Sequence, residues 1–303
     1  MATAETAGTT GITDEAVARL RERIGIPEPN PQPPHYTVLT TDVFRHVAEA
    51  YGDDNPLWCD PDHAAATRWE APLAPPPLVG GDTLVGEEEV PRVAPEHRDL
   101  MKGDPVGPLV KGPLTVTDMV CWHVGMGMGL YGVRALRLAA RNRRRIPRFF
   151  HRDPQNVPDV MQRVHWDPEF ARRSGNPTTF DYGRMRECWL IHLCTDWMGD
   201  DAWLWKLACQ FRRFNYVGDT QWLRGTVTRH YLADGDRPAV DVDLVAENQR
   251  GEVTTPGHAT ILLPSREHGP VRLPEPPGEA TDLQSALDAI ATRFADGTAW
   301  SAR

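Results

Sequence analysis

The sequence predicts an α+β fold in which one long helix is wrapped by an antiparallel sheet. Between residues 181 and 198 an apolar side chain recurs at every fourth position, at Met185, Trp189, Leu193 and Trp197. This spacing is typical of a helix with a buried face. Residues 238–246 alternate instead between apolar and polar side chains, with Asp241 and Asp243 facing outward, which is typical of a strand that covers a core.

Three further segments complete the predicted sheet. Residues 203–215 and 221–232 precede the alternating strand, and residues 253–263 follow it. The sequences ADGD at 233–236 and QRG at 249–251 separate the last three segments with turn-forming residues. We therefore predict one long helix followed by four antiparallel strands.

The first third of the chain is predicted to be helical and to lack a sheet. Thr40 and Thr41 open a helix with apolar residues at helical spacing, and residues 62–69 form another short helix. From residue 72 to 112, prolines, glycines and charges dominate without two-residue alternation. A strand with its turn takes roughly 8–12 residues, so this irregular segment is too short for a sheet.

A second helical stretch precedes the long helix. Residues 114–125 form a helix that Thr117 is expected to cap, and residues 133–145 form a basic amphipathic segment. Residues 147–158 are predicted to be a long loop. Asp167, which Pro168 follows, is expected to cap the next short helix.

Composition indicates the general class of protein. The chain has 303 residues, of which 40% are hydrophobic and 25% are charged, as in globular proteins with one large or two modest domains. The net charge of −9 argues against a nucleic-acid partner, which requires a basic surface. No apolar run approaches the roughly 18 residues needed to span a bilayer, so no membrane partner is expected.

The cysteines indicate the cellular compartment. All five are scattered without C-x-x-C spacing. This pattern favours reduced thiols over a disulfide frame or a zinc site. Because residues 1–11 also lack the apolar core of a signal peptide, we expect a cytoplasmic protein with no metal site.

Two segments carry parts of one motif. Residues 51–60 read YGDDNPLWCD and residues 164–171 read VHWDPEFA. Both resemble the hydratase motif of MaoC-like hot dog proteins, G-D-x-N-P-hydrophobic-H-x-D. The first copy keeps Asp53 but has Trp58 at the histidine position, and the second keeps His165 but has Val160 at the aspartate position.

The resemblance covers roughly residues 36–76 and 109–265 and includes the sequences FDYGRMR, TDWMGDD and FNYVGDT. It implies a double hot dog fold with a reduced first unit. The implied organisation is an N-terminal tail and short helix at 1–35, a reduced hot dog-like unit at 36–108, a complete hot dog domain at 109–265, and a linker and helix at 266–303.

The resemblance also implies a reaction. MaoC-like proteins add water to a 2-enoyl thioester, or remove it from a 3-hydroxyacyl thioester, carried on coenzyme A or acyl carrier protein. We therefore expect a hydratase/dehydratase, or a related lyase or cyclase, that needs no further cofactor. The alternative is a non-catalytic subunit that binds the acyl thioester while another chain supplies the aspartate and histidine.

Three residues are candidates for proton transfer. His165 is the predicted acid/base catalyst, unless it is a loop histidine with a structural hydrogen bond. Asp159 lies one position from the motif's aspartate and is a candidate partner for His165. Asp53 with Asn55 forms the other half-site, and these two residues are equally consistent with a tight turn fixed by their side chains.

Further residues are candidates for binding the thioester. The start of the long helix offers backbone N–H groups at Gly183 and Arg184 to an enolate-like oxygen, and Tyr182 can donate to a carbonyl. Arg143 and Arg144 belong to a run of arginines that either binds phosphates or forms a solvated helix face. His123 and His192 are interpreted as packed core histidines.

A second chain is also expected. A unit without its sheet leaves a sheet edge and a helix face uncovered. The sequence therefore predicts a homodimer, or a heteromer with another hot dog chain.

Overall fold

The computed structural model describes residues 39–79, 101–126 and 137–273. Eight α-helices lie in these residues: α1 (Thr41–Ala50), α2 (Pro56–Cys59), α3 (Pro61–Ala65), α4 (Pro76–Val79), α5 (Val116–Gly125), α6 (Arg137–Arg145), α7 (Pro168–Arg173) and α8 (Gly183–Met198). Seven strands accompany them: β1 (Pro105–Lys111), β2 (Phe150–Arg152), β3 (Pro158–Val160), β4 (Trp203–Cys209), β5 (Gln221–Ala233), β6 (Arg237–Asn248) and β7 (Val253–Leu262). Two short 3-10 helices occupy Pro147–Phe149 and Met161–His165.

A five-stranded antiparallel sheet wraps the long helix α8. Its strand order is β1-β5-β6-β7-β4. Strands β5, β6 and β7 form a meander, and β1 and β4 are the two edge strands. Val240, Val242 and Leu244 on β6 are buried as the alternation predicts. The α+β class and the helix-then-four-strands order are confirmed.

Helix α8 is enclosed on most sides. Met185, Trp189 and Leu193 of the predicted stripe are buried, and so are Cys188 and Cys194 from other faces. A helix that is buried nearly all round lies within the core instead of on its surface. Its end is set by Gly199, whose φ of 66° other residues adopt only at a cost.

Strand β1 corrects the prediction that residues 72–112 contain no strand. It pairs antiparallel with β5, and its register shifts between Val106 and Leu109. Only Val106 is fully buried, because β1 lies at the edge of the sheet and the shift interrupts its alternation. An edge strand with Gly107 and Pro108 inside a bulge does not produce the two-residue pattern of a buried strand.

The helix caps are those predicted from the sequence, with one exception. Thr40 caps α1 and Asp167 caps α7, both through side-chain oxygens that accept from backbone N–H groups. The cap of α5 is Thr115, not Thr117. Asp118 at the third helical position bonds back to the N–H of Thr115, and this reciprocal pair fixes the start two residues earlier.

The N-terminal helices share one core with α8 and the sheet. Val47, Leu57 and Trp58 are fully buried in the same apolar cluster as Leu190 and Leu223. All described residues fall within one compact unit. The reduced first unit at 36–108 stays a prediction, and β1 crosses its predicted end.

Most of the predicted segments 1–35 and 266–303 lie outside the described residues. None of the helices within the described part is long and apolar enough to cross a membrane.

Candidate active site

His165 lies at the end of the short 3-10 helix, next to the start of α8. Its Nδ1 is 2.8 Å from the carbonyl oxygen of Phe180. A carbonyl only accepts, so Nδ1 carries the proton and Nε2 keeps a lone pair. Burial lowers the pKa of His165 from 6.5 to about 4. The imidazole is therefore neutral near pH 7 and can act as a base.

Tyr182 stacks on His165 at the N-cap of α8. The two ring centroids are 3.8 Å apart with the planes tilted by 32°. The Tyr182 hydroxyl lies 2.7 Å from Nδ1 of His123. Trp122 and Trp166 complete an aromatic cluster, since their rings contact Tyr182 and His123 respectively. Burial raises the pKa of the Tyr182 phenol, which keeps it protonated.

The first turn of α8 adjoins this aromatic cluster. The helix begins at Gly183, and Tyr182 makes no side-chain cap bond to its first N–H groups. A helix N-terminus of this kind presents unsatisfied donors and a positive dipole end. A Cβ on Gly183 would lie 2.9 Å from Cδ2 of Phe211, so glycine permits this close approach. The half-exposed Arg184 lies 3.6 Å from Glu187 in an ion pair.

A buried polar network holds the residue before Tyr182. Arg186 Nε lies 2.9 Å from Oδ2 of Asp181, and both side chains are almost inaccessible. Asn215 donates to the same oxygen at 3.0 Å. Burial raises the pKa of Asp181 to about 7, and the Arg186 charge opposes that rise. The network fixes the backbone from which Tyr182 projects.

Asp159 does not meet His165 in the structure. Its Oδ1 accepts from the N–H of Val160, and its Oδ2 lies 3.8 Å from Arg163. No hydrogen bond joins Asp159 to His165, whose Nδ1 proton is held by Phe180. The short β2–β3 hairpin, in place of the predicted loop, carries Asp159 and sets its direction.

Asp53 and Asn55 fix the turn after α1. Asp53 accepts from the N–H of Asn55 and from the Tyr51 hydroxyl, and Asn55 caps α2 through the N–H of Leu57. These are the bonds expected of a tight Asx-type turn. Trp58, at the histidine position of the motif, is buried in the core.

The imidazole nearest to Asp53 comes from α8. His192 Nε2 lies 3.7 Å from Asp53 and 3.2 Å from Asp196. Lys111 on β1 donates to Nδ1 of His192 at 2.8 Å and to the carbonyl of Gly52 at 2.7 Å. Tyr182 and His192 are ten residues apart, roughly 15 Å along the helix, so this polar cluster is separate from the aromatic cluster.

The polar cluster has donor atoms that could hold a metal. Among the described residues, Asp53, His192 and Asp196 place one ligand atom each within 4.8 Å of one another. However, the Lys111 ammonium can only donate to Nδ1, so the His192 proton lies on Nε2. A protonated Nε2 cannot ligate a metal, and Lys111 already supplies the positive charge.

Comparison with known proteins identifies the fold. No family model and no curated protein matches the sequence. A solved structure described as a MaoC-like dehydratase has a TM-score of 0.57 at 12% identity, covering 80% of this chain and 99% of its own. The chain has the hot dog fold of MaoC-like dehydratases.

Two further solved structures align with just over half of this chain. The (R)-hydratase from A. caviae involved in PHA biosynthesis has a TM-score of 0.39 at 16% identity, covering 55% of this chain and 100% of its own. The ChsH1-ChsH2 complex from Mycobacterium tuberculosis has a TM-score of 0.37 at 19% identity, covering 54% and 98%.

Arg143 and Arg144 lie at the C-terminal end of α6. Arg143 is half-buried and Arg144 is exposed. Neither forms an ion pair with any residue that the structure describes. Their charges are thus available to an anionic ligand.

The sequence did not predict the polar contacts of three residues in the two clusters. His123 and His192 were expected to be packed core histidines, and both are buried, but each has a polar partner. Lys111 was not singled out. The only signal was a charged residue at the end of β1, a strand that the sequence did not predict.

Proposed function

We propose that this chain is a hydratase/dehydratase that acts on a 2-enoyl or 3-hydroxyacyl thioester carried on coenzyme A or acyl carrier protein. The observation that carries the proposal is the hydrogen bond from Nδ1 of His165 to the Phe180 carbonyl, which leaves the lone pair of Nε2 free to act as a base beside the first turn of α8. The hot dog fold shared with a MaoC-like dehydratase supports the same kind of reaction. Such a reaction needs no cofactor beyond the carrier.

The proposed chemistry divides between a base and a set of donors. In dehydration, Nε2 of His165 removes the proton from C2, next to the thioester carbonyl. Negative charge develops on the thioester oxygen, where the N–H groups of Gly183 and Arg184 stabilise it. In hydration, which is the reverse reaction, the protonated His165 returns its proton to C2 while water adds at C3.

Arg143 and Arg144 are proposed to contact the carrier, and Asn55 is proposed to act indirectly. A guanidinium binds phosphate through paired charged hydrogen bonds, and two adjacent arginines without described ion pairs suit a phosphorylated carrier. Asn55 already caps α2, so we propose that it contributes by holding its turn beside the ligand.

A second candidate is a non-catalytic subunit that binds the acyl thioester. The observation that favours it is the engagement of both aspartates elsewhere, Asp159 with Arg163 and Asp53 with the polar cluster. In this case a partner hot dog chain supplies a complete motif. Both edges of the sheet, β1 and β4, support association, whether as a homodimer or as a heteromer.

The test is hydration of crotonyl-CoA and of longer 2-enoyl-CoA esters by wild-type protein, His165→Ala and the control His230→Ala. His230 is exposed on β5, so the control retains full activity. We expect His165→Ala to lose about 10²-fold or more. Activity that survives His165→Ala rejects this residue as the base, and a wild-type protein that is inactive alone favours the subunit.

A further inference from the structure

A second protonatable pair lies directly against His165. The Tyr182 hydroxyl and Nδ1 of His123 are 2.7 Å apart, which is a hydrogen-bond distance. Both residues are buried, with 7% and 8% of their surfaces exposed. The Tyr182 ring stacks on His165 at 3.8 Å. Base and phenol are thus held together at the start of α8.

The direction of this hydrogen bond depends on the tautomer of His123. The role proposed below requires the tautomer with the proton on Nδ1, in which His123 donates to the Tyr182 oxygen and the hydroxyl hydrogen is left for another acceptor. Burial disfavours the phenolate, so the hydroxyl remains a donor at neutral pH. Among the residues that the structure describes, no aspartate has a hydrogen bond or ion pair with His165, whereas the protonated phenol of Tyr182 stacks on it.

We propose that Tyr182 is the general acid of the reaction and that His123 is the residue that positions it. This inference rests on the proposed function, since it adds an acid to the base that His165 supplies. Tyr182 thereby takes the place that the aspartate has in the complete motif. A hydroxyl is an adequate acid here because a buried histidine donor beside it stabilises the oxygen as the proton leaves.

The step balances in atoms and charge. The C2 proton moves to Nε2 of His165, and the C2 electron pair forms the C2–C3 double bond. The C3–O bond breaks, and the departing hydroxide takes the Tyr182 proton and leaves as water. The phenolate accepts from Nδ1 of His123 until the His165 imidazolium returns its proton through solvent, which restores both residues.

A change of leaving group separates the acid from the base. Elimination from 3-hydroxybutyryl-CoA needs a proton on the leaving oxygen, whereas elimination of chloride from 3-chlorobutyryl-CoA needs none. We expect Tyr182→Phe to slow the first reaction about 10²-fold and to leave the second within about threefold of wild type. His165→Ala is expected to slow both, because both require removal of the C2 proton.

His123 is tested by a matched pair of variants. His123→Asn keeps an N–H near the position of Nδ1, and His123→Leu removes it. We expect the leucine variant to reproduce the selective loss seen in Tyr182→Phe, and the asparagine variant to restore most of the activity. A merely structural role for His123 would slow both substrates together, so the ratio of the two rates is the readout.

Each outcome decides the matter. Equal losses on both substrates in Tyr182→Phe, with a folded protein by circular dichroism, would overturn Tyr182 as the acid. If Tyr182→Phe does not fold, the two His123 variants provide the test through the ratio of their rates on the hydroxy and chloro substrates. If the wild-type protein acts only on 3-chlorobutyryl-CoA, it can remove the C2 proton but cannot protonate a leaving hydroxyl, and this result also contradicts the inference. Inactivity on both substrates instead rejects the proposed function on which it rests.

Discussion

Asp53 of the first motif copy faces His192 of the long helix, with 3.7 Å between Oδ1 and Nε2. The two residues are 139 positions apart and neither contacts His165. Lys111 donates to the other nitrogen of His192, so the imidazole proton is directed toward Asp53 and Asp196. The hydrogen bonds of Lys111 to His192 and to the carbonyl of Gly52 join the turn after α1 to α8, and this connection favours a structural role for the cluster.

Replacement of His192 tests that role. Because His192→Leu leaves both Asp53 and Lys111 without their shared partner, we expect it to lower the free energy of unfolding by about 2 kcal/mol. Urea unfolding measures the change, and His258→Leu, at an exposed histidine on β7, is the control. If His192→Leu instead abolishes hydration while leaving stability unchanged, the polar cluster is a second catalytic site.

Lys111 should contribute more to the free energy of unfolding than any other residue of the polar cluster. Lys111→Met removes the ammonium that bonds the carbonyls of Tyr51 and Gly52 and leaves two carboxylates without a counter-charge. We expect a loss of about 3 kcal/mol in chemical denaturation. Lys102→Met, at an exposed lysine, should change stability by no more than about 0.5 kcal/mol. Equal effects of the two variants would contradict the cluster.

The partly buried His165 should make the protein sensitive to acid. Its pKa falls from 6.5 to about 4 on folding, so the unfolded chain binds a proton more readily between these values. The associated stability is present above pH 6.5 and is lost as pH falls toward 4. We expect about 3 kcal/mol of extra acid destabilisation by pH 4 relative to His165→Asn, which keeps an N–H for Phe180. Parallel stability profiles for the two proteins from pH 7 to pH 4 would show that His165 does not titrate this way.

The close approach of α1 and α5 is testable by a compensating pair. A Cβ on Gly125 would collide with the Cβ of Ala50. Gly125→Ala should therefore cost about 2 kcal/mol through overpacking. Ala50→Gly in the same chain should recover most of that loss despite its own helix-propensity cost of about 1 kcal/mol. A double-mutant cycle by thermal unfolding measures the coupling, and strict additivity would mean that the two helices do not touch.

Arg143 and Arg144 should matter for ligand affinity alone. The double variant Arg143→Glu/Arg144→Glu is expected to weaken binding of an acyl-CoA by about tenfold or more, because two charged hydrogen bonds are lost and repulsion is added. Calorimetric titration at low and high salt measures the effect, which should shrink as salt rises. Arg172→Glu/Arg173→Glu on α7 is the matched control, and equal weakening by it would indicate a non-specific charge effect.

The periodic elements of this fold were predictable from the sequence. Strand β6 alternates because one of its faces is buried, and helix α8 has apolar residues on most sides because the sheet and the other helices enclose it. Strand β4 ends at Cys209, short of the predicted residue 215. Beyond it, the N–H groups of Gln210 and Arg212 still donate to β7 carbonyls, although regular pairing has ended.

The candidate site was only partly predictable, for a geometric reason. His165, Tyr182 and Gly183 were singled out because they lie in or next to motif residues. The partners of these residues and of Asp53 come from other elements: His123 from α5, His192 from α8 and Lys111 from β1. A lone histidine on an apolar helix face has the same local sequence whether it packs or bonds. Only the tertiary fold decides which polar group reaches it.

The pairing of β1 with β5 has a consequence for how the chain folds. Lys111 and Gln221 are direct partners, yet 110 positions separate them, whereas β5, β6 and β7 are joined by short turns. Local contacts form faster than those that close a long loop, because loop closure costs more entropy as the loop grows. We therefore expect α8 and the three-stranded meander to form the folding nucleus and β1 to dock after the transition state. Substitutions at Val106 should accordingly speed unfolding and leave the refolding rate nearly unchanged.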